Sequence, residues 1–256
     1  MNLKIQEQTP VFNFEDYKKL VLKDYYTIFL SRETSILGRR EVLSGKGKFG
    51  IFGDGKELPQ IAMNHFIENG DFRSGYYRDQ TLLMAQGYLT PEDHFAALYA
   101  HPDIKYEPMS AGRQMVGHFS NKLIDENGNW LDQTKQINHI SDVSSIGAQM
   151  PRLVGLAQAS KIYRKLDIRG SEKFSKNGNE IAWGTIGNAG TSEGIFFEAI
   201  NAIGVLQIPI VMSVWDDGYG ISVKNEKQTT KQSISDALDG FKKEEDLSGI
   251  ETLTVK

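Results

Sequence analysis

The stretch from Ile181 to Ser222 constrains this chain more than any other. Ile181 to Gly187 reads as a buried strand, and Gly187-Asn188-Ala189-Gly190 follows as a tight turn of small residues. Ile195 to Leu206 then reads as a helix, Ile208 to Val214 as a second strand, and Asp216-Asp217-Gly218-Tyr219 as an acidic turn. A glycine-lined turn entering a helix presents backbone N–H groups and a positive dipole end, which suits a phosphate. A pair of carboxylates ending the next strand suits a hard cation. In a parallel sheet the two turns, carrying Asn188 and Asp217, lie side by side at the carboxyl edge. These residues point to a diphosphate held through a metal ion.

The same order of elements is the plan of a dinucleotide-binding unit, in which the terminal acid holds a ribose. The glycines fit that plan poorly. Counted from Gly187, the expected second and third glycines fall on Ala189 and Ser192; counted from Gly190, they fall on Ser192 and Ile195. On the residues alone, a metal–diphosphate site, a nucleotide site and a purely structural turn all stay open.

The rest of the chain supplies a frame. Residues 1–12 read as a loose arm, with Pro10 opposing a helix. From Phe14 to about Arg40 the pattern is helical, with Asn13 or Asp16 as the cap and Leu20, Tyr25, Ile28, Phe29 and Leu37 as the apolar face. Residues 44–57 are a glycine-rich loop, followed by a helix from Leu58 to Ile67. Asp71 to Asp79 reads as a strand end and turn, and Thr81 starts a helix. Thr90 and Pro91 have the form of another helix start. His101 to Trp130 is irregular. Ser144 to Leu166 is helical, with a stripe of Ile146, Met150, Val154 and Ala157 and small residues Gly155, Ala157 and Ala159 for close packing. Ser233 to Phe241 is helical, and Glu251 to Lys256 reads as a strand. Strands alternating with helices give an α/β class with a doubly wound parallel sheet. The expected division is an N-terminal arm and helix over 1–43 and an α/β domain over 44–256. That domain ends on a strand, as if continued or completed by another chain.

Composition excludes several chemistries. There is no cysteine, so disulfides, thiolate nucleophiles and thiolate zinc sites are out. A net charge of −4 argues against a nucleic-acid binder, which needs a basic face. No apolar run approaches the roughly 20 residues of a membrane helix, and the N-terminus has no signal-peptide core. The expectation is a soluble cytoplasmic protein. Gly53-Asp54-Gly55 lies in a charged loop with no matching ligand pair and reads as solvated. Arg78 after Tyr77 is placed to clamp a phosphate or to pair with Asp79 on the surface. His118 and His139 stand alone, and no two histidines have metal spacing.

Four motifs together resemble the α subunit, or α half, of the thiamine-diphosphate-dependent first component of 2-oxo acid dehydrogenase complexes, from about Asp16 to the end of the chain. Tyr77-Arg78-Asp79 resembles the Tyr-Arg pair that binds the diphosphate. Gly112-Arg113-Gln114-Met115 with His118-Phe119 resembles the Gly-Arg-Gln-Met-Pro-Val-His-Tyr stretch of the branched-chain enzymes. Ser144 to Pro151 resembles the segment whose aliphatic residue, here Ile146, supports the bent cofactor. Gly187 to Gly194 and Asp216 to Ser222 resemble the thiamine diphosphate motif.

The resemblance implies the thiamine-diphosphate-binding fold and oxidative decarboxylation of a 2-oxo acid with acyl transfer to a lipoyl group. It implies that Tyr77, Arg78, Ser144, Ile146, Gly187, Asn188, Ala189 and Gly190 bind the cofactor and that His118 lies at the reacting carbon. Asn188, Asp217 and the Tyr219 carbonyl would hold Mg2+. The implied partners are a β subunit or fused β half and a lipoyl-bearing acyltransferase, with the chain alone nearly inactive. The substrate would be a branched-chain 2-oxo acid, from Gly112 to Met115, or pyruvate, from Ile146 to Gln149.

One departure stands out. The family pattern has an acid in the first turn and two asparagines in the second, whereas this chain has Asn188 and then Asp216-Asp217. A compensated exchange keeps one carboxylate, one amide oxygen and one carbonyl, the oxygen-only set that magnesium prefers; the competing expectation is a weakened site. Outside the family, a nucleotide-binding oxidoreductase domain and a non-catalytic assembly subunit are the alternatives.

Overall fold

The computed structural model describes residues 13–255. The arm expected over 1–12 lies outside them. Four parallel strands form the central sheet: β1 (Phe72–Ser74), β2 (Asn138–His139), β3 (Ala182–Gly187) and β4 (Ile210–Trp215). Their spatial order is β2-β1-β3-β4. The longest pairing, β3 with β4, runs in register from Ala182 opposite Ile210 to Gly187 opposite Trp215. The acidic turn leads into a small hairpin of β5 (Tyr219–Gly220) and β6 (Val223–Lys224).

Alternation along β3 divides the core into two layers. Ala182 and Ile186 face α5 (Gln149–Lys165) and α6 (Gly194–Leu206), where Met150, Leu153, Ala157, Phe196, Ile200 and Ile203 pack together. Trp183, with Trp215 of β4, faces the other way onto Met63, Ile67, Leu82, Leu83 and Phe119. The sheet is therefore covered on both faces, as its apolar strands require. These second-layer residues come from α2 (Glu57–Asn64), α3 (Gln80–Ala85) and the chain around them, preceded by α1 (Phe14–Leu43) and followed by α4 (Pro91–Leu98). Asn13 caps α1 by accepting from the Asp16 N–H at 2.9 Å, and Thr90 caps α4 with Pro91 at its first position. The last helix is a single turn, α7 (Ile234–Ala237), extended by a 3-10 turn to Phe241.

Three sequence expectations need correction. First, α1 does not bury its large apolar side chains: Tyr25 is 65% exposed, Phe29 53% and Leu37 42%. Its inward face is Thr27, Ser31, Thr34, Ser35 and Gly38. These small residues let α1 lie close to α3, where the Ser31 and Thr81 hydroxyls are 2.8 Å apart and the Gln80 amide donates to the Ser31 carbonyl at 3.0 Å. Second, α5 starts at Gln149, not at Ser144. Gly147 is left-handed (φ 96°), and Pro151, which lacks an N–H, fits only the first turn. Ile146 consequently lies outside the helix, its place in the stripe is taken by Leu153, and a Cβ added at Gly155 would meet no described residue within 4 Å. Third, residues 251–255 form no strand. Ile250 instead bonds to the Phe241 carbonyl at 2.8 Å and to the Lys243 N–H at 2.9 Å. Lys256 lies outside the described residues. Among those residues, no helix is long and apolar enough to cross a membrane.

His94 of α4 is buried with neither ring nitrogen bonded to a described residue, and burial pushes its pKa down to about 4. The unfolded ring titrates near 6.5, so the folded state takes up its proton later than the unfolded one as pH falls. The stability this neutral ring maintains above pH 6.5 is lost on descent toward pH 4, by about 3 kcal/mol. His94→Leu is expected to flatten the stability profile between pH 7 and 4.5, measured by urea unfolding at each pH.

Candidate cofactor and cation site

Because all four strands run the same way, the segments after them meet at one sheet edge. Tyr77 and Arg78 follow β1 in a 3-10 turn (Tyr77–Asp79). Ser144 and Ile146 follow β2. Gly187 ends β3, and Asn188, Ala189 and Gly190 open a 3-10 turn (Asn188–Ser192) ahead of α6. Asp217 and Tyr219 follow β4. The strand order thus brings residues 140 positions apart in the chain into one row.

A buried charge cluster holds this row in place. Arg73 of β1 is fully buried, and its Nε donates to Asp79 Oδ2 at 2.8 Å while its Nη2 meets Asp142 Oδ2 at 3.0 Å. Thr185 of β3 donates its hydroxyl to the same Asp79 oxygen at 2.6 Å, and the Phe119 N–H donates to Asp142 at 3.0 Å. Burial raises the Asp142 carboxyl above the ordinary aspartate range, against the opposing pull of Arg73. Asp79 is thereby spent inside the protein. Arg78, beside it in sequence, has its guanidinium 5.3 Å from the centre of the Tyr77 ring.

His118 comes from the irregular segment and is joined to the row through its neighbour Phe119. Its Nδ1 lies 3.0 Å from the Met115 carbonyl and its Nε2 lies 2.7 Å from Ser144 Oγ. A carbonyl only accepts, so in the neutral ring the proton sits on Nδ1, and Nε2 accepts from the serine hydroxyl. The preceding loop is organised by Glu107, whose carboxylate accepts the N–H groups of Met109, Ser110 and Gly112 and the Ser110 hydroxyl. Burial pushes its carboxyl up, but these donors outweigh it and hold it below the ordinary glutamate range.

The small-residue turn packs as closely as its composition promised. A Cβ on Gly190 would lie 2.9 Å from Cγ2 of Ile146, so the two segments touch only because that position is glycine. Asn188 is buried, and its Nδ2 donates to the Tyr219 carbonyl at 2.9 Å and to Asn225 Oδ1 at 2.6 Å. Asn225 in turn donates to Asp216 at 2.8 Å. Asp217 accepts from the Tyr219 N–H at 3.1 Å and from Lys56 Nζ at 3.2 Å. Partial burial pushes the Asp217 carboxyl up, but Lys56, that N–H and the charge of Arg78 together hold it below the ordinary range.

Asn188, on the turn after β3, is thus bonded to the turn after β4 that carries Asp217 and Tyr219. The Asn188 amide nitrogen, not its oxygen, faces the Tyr219 carbonyl. Among the described residues no three acidic or histidine side chains cluster as a metal site, and the oxygens at this edge are a mixed set of carboxylate, amide and carbonyl groups. A cavity of about 660 Å³ lies elsewhere, between α6, the outer edge of β4 and residues 249–255.

Three participants were missed in the sequence. Tyr76 is buried beside Gly187 with its hydroxyl bonded to no described residue; burial pushes that phenol up, so it stays a neutral donor. Asn225 carried no signal in a polar stretch. Lys56 sits beside Gly53-Asp54-Gly55, which read as solvated. Gly53 is in fact buried, with the position of a Cβ only 2.7 Å from the Arg78 carbonyl oxygen.

Residues 30–242 match the model of the family described as "Dehydrogenase E1 component". The chain is similar to the 2-oxoisovalerate dehydrogenase subunit alpha of Bacillus subtilis, 28% identical over 222 residues, covering 85% of this chain and 57% of that subunit. It is also similar to the pyruvate dehydrogenase E1 component subunit alpha of Staphylococcus aureus, 26% identical over 205 residues, covering 79% and 45%. The corresponding Bacillus cereus subunit is 25% identical over 228 residues, covering 88% and 49%. The chain spans about half the length of these curated relatives.

Arg73→Met leaves Asp79 and Asp142 buried without their cation. It is expected to cost about 3–5 kcal/mol in urea unfolding at pH 7. The Asp142 carboxyl, already raised by burial and now without the opposing pull of Arg73, stays above its unfolded value, so the variant regains stability as pH falls toward 4 and loses it as pH rises. Ser144→Ala, at an exposed position, is expected to stay within about 0.5 kcal/mol of the parent.

Proposed function

This chain belongs to the dehydrogenase E1 component family, and on that premise we propose that it is the α part of a thiamine-diphosphate-dependent 2-oxo acid dehydrogenase. The observation that carries this reading is the meeting, at one sheet edge, of Arg78, Lys56 and the unspent Tyr76 hydroxyl with Asn188 and the acidic turn at Asp217. Two cations and a buried free donor suit a diphosphate. Oxygen donors on the two neighbouring turns suit a hard divalent ion. The residues present thus fit both groups in kind.

In this reading Tyr77, Arg78 and the turn Gly187-Asn188-Ala189-Gly190 hold the diphosphate. Asp217, the Tyr219 carbonyl and, with its amide turned over, the Asn188 oxygen would hold Mg2+. Ile146, packed against Gly190 and 38% exposed, would support the cofactor. The bound thiamine supplies the chemistry of stabilising the negative charge that decarboxylation leaves. His118 moves a proton at the substrate through Nε2, with Ser144 and the Met115 carbonyl fixing the ring until substrate arrives. Substrates are 2-oxo acids of the branched-chain or pyruvate type. A β part completes the site, and a lipoyl-bearing acyltransferase takes the acyl group.

The apolar outer face of α1 supports a protein partner. Residues 44–256 are proposed as the α/β domain of the thiamine-diphosphate-binding fold, with residues 1–43 as its helical arm.

Thermal unfolding tests the reading directly. Thiamine diphosphate with Mg2+ at about 100 times its Kd is expected to stabilise the chain by about 2.7 kcal/mol, a Tm rise of several degrees, with no effect of NAD. Asp217→Asn is expected to abolish the Mg2+-dependent part. Stabilisation by NAD alone would favour a nucleotide-binding oxidoreductase, and no response to any ligand an assembly subunit.

A further inference from the structure

Lys56 is the residue before α2, and its side chain is only 13% exposed. Among the described residues its ammonium has one partner, Asp217 Oδ2 at 3.2 Å, 161 positions away in the chain. The backbone that presents it is fastened on both sides. Arg32 forks onto Glu57 with bonds of 2.6 and 2.7 Å, and the Gly55 N–H donates to the same carboxylate. The Gln60 amide donates to the Lys56 carbonyl at 2.9 Å and to the Arg78 carbonyl at 2.8 Å. The segment carrying Lys56 is thus bound directly to the one carrying Arg78. The backbone is fixed, while the four-carbon stem leaves the ammonium able to swing between neighbouring anions.

Asp217 is the sole carboxylate among the three groups proposed for the metal, because position 188 is an amide. Whatever holds that carboxylate controls the site. An ammonium and a divalent ion both need its oxygens, and two cations a few ångströms apart repel strongly at a half-buried position. An ion arriving at Asp217 therefore displaces Lys56. The displaced ammonium, tethered next to Arg78, lies where a diphosphate is expected to lie.

We propose that Lys56 is an exchangeable counter-ion, neutralising Asp217 until a divalent cation takes that carboxylate and then pairing with the diphosphate the cation brings. This rests on the diphosphate reading of the site. It makes Lys56 a competitor of the metal and a ligand of the anion, two roles of opposite sign at one residue.

Mn2+ and inorganic diphosphate are the probes, titrated into the full chain and into Lys56→Met, Lys56→Gln and Lys56→Arg. Folding of each variant is checked by circular dichroism and thermal melting. With the competitor gone, Mn2+ alone, followed by electron paramagnetic resonance, is expected to bind about tenfold tighter to Lys56→Met and Lys56→Gln. With Mn2+ saturating, inorganic diphosphate measured by calorimetry is expected to bind both variants about tenfold more weakly, and Lys56→Arg to restore it. A general loosening of the site weakens both probes together, so the opposite signs are the signature. Mn2+ affinity unchanged or lowered, diphosphate affinity unchanged, or no binding of either probe by the parent chain overturns the proposal. A parallel titration with thiamine diphosphate separates the two readings: affinity no better than that of inorganic diphosphate counts against the thiamine assignment, while the Lys56 exchange stands on the two inorganic probes.

Discussion

A guanidinium with no access to water sets the terms for the functional edge of this protein. Removing a charge from water costs several kcal/mol, and Arg73 is tolerated because two carboxylates and a carbonyl meet it. The two carboxylates belong to different segments. Asp79 closes the turn that presents Arg78, and Asp142 lies between β2 and Ser144. Thr185 ties β3 to Asp79, and Phe119 ties the histidine loop to Asp142. One buried cation therefore fixes, before any ligand binds, the relative positions of the segments carrying Arg78, Ser144 and His118. Preorganisation of this sort is what a site needs when its reacting groups come from distant parts of the chain.

The exchange of acid and amide between the two turns takes on meaning within that frame. At position 188 the side chain is buried and meets two oxygens, the Tyr219 carbonyl and Asn225 Oδ1. A carboxylate there would face both without a proton to share; an amide donates to both. At position 217 the side chain faces outward to Lys56, where a carboxylate is matched by charge and an amide would not be. The chain's own contacts thus account for an amide inside and an acid outside, independently of any metal.

Much of this was legible in the sequence because the signals were local. The β3–turn–α6–β4 unit followed from strand and helix periods with glycines between them, and Thr90 with Pro91 marked the start of α4. The α1 face was misread because helical spacing selects two stripes on that helix, one apolar and one of small hydroxyl residues, and only the bonding of Ser31 to Thr81 and Gln80 shows which turns inward. The start of α5 was legible in Pro151 and overlooked. Lys56, Tyr76 and Asn225 were beyond reach for another reason. Their roles depend on pairings across the fold, and no spacing within a segment encodes which distant carboxylate an ammonium will meet.

The seam between α1 and the domain has a consequence for how this chain exists in solution. Hydroxyl contacts on the inner side of α1 leave Tyr17, Leu22, Tyr25, Tyr26 and Phe29 facing out along one long helix. Water gains little from such a surface, and another protein gains a great deal. An uncovered face of this kind, rather than the packing of the core, is where contact with another chain would be made.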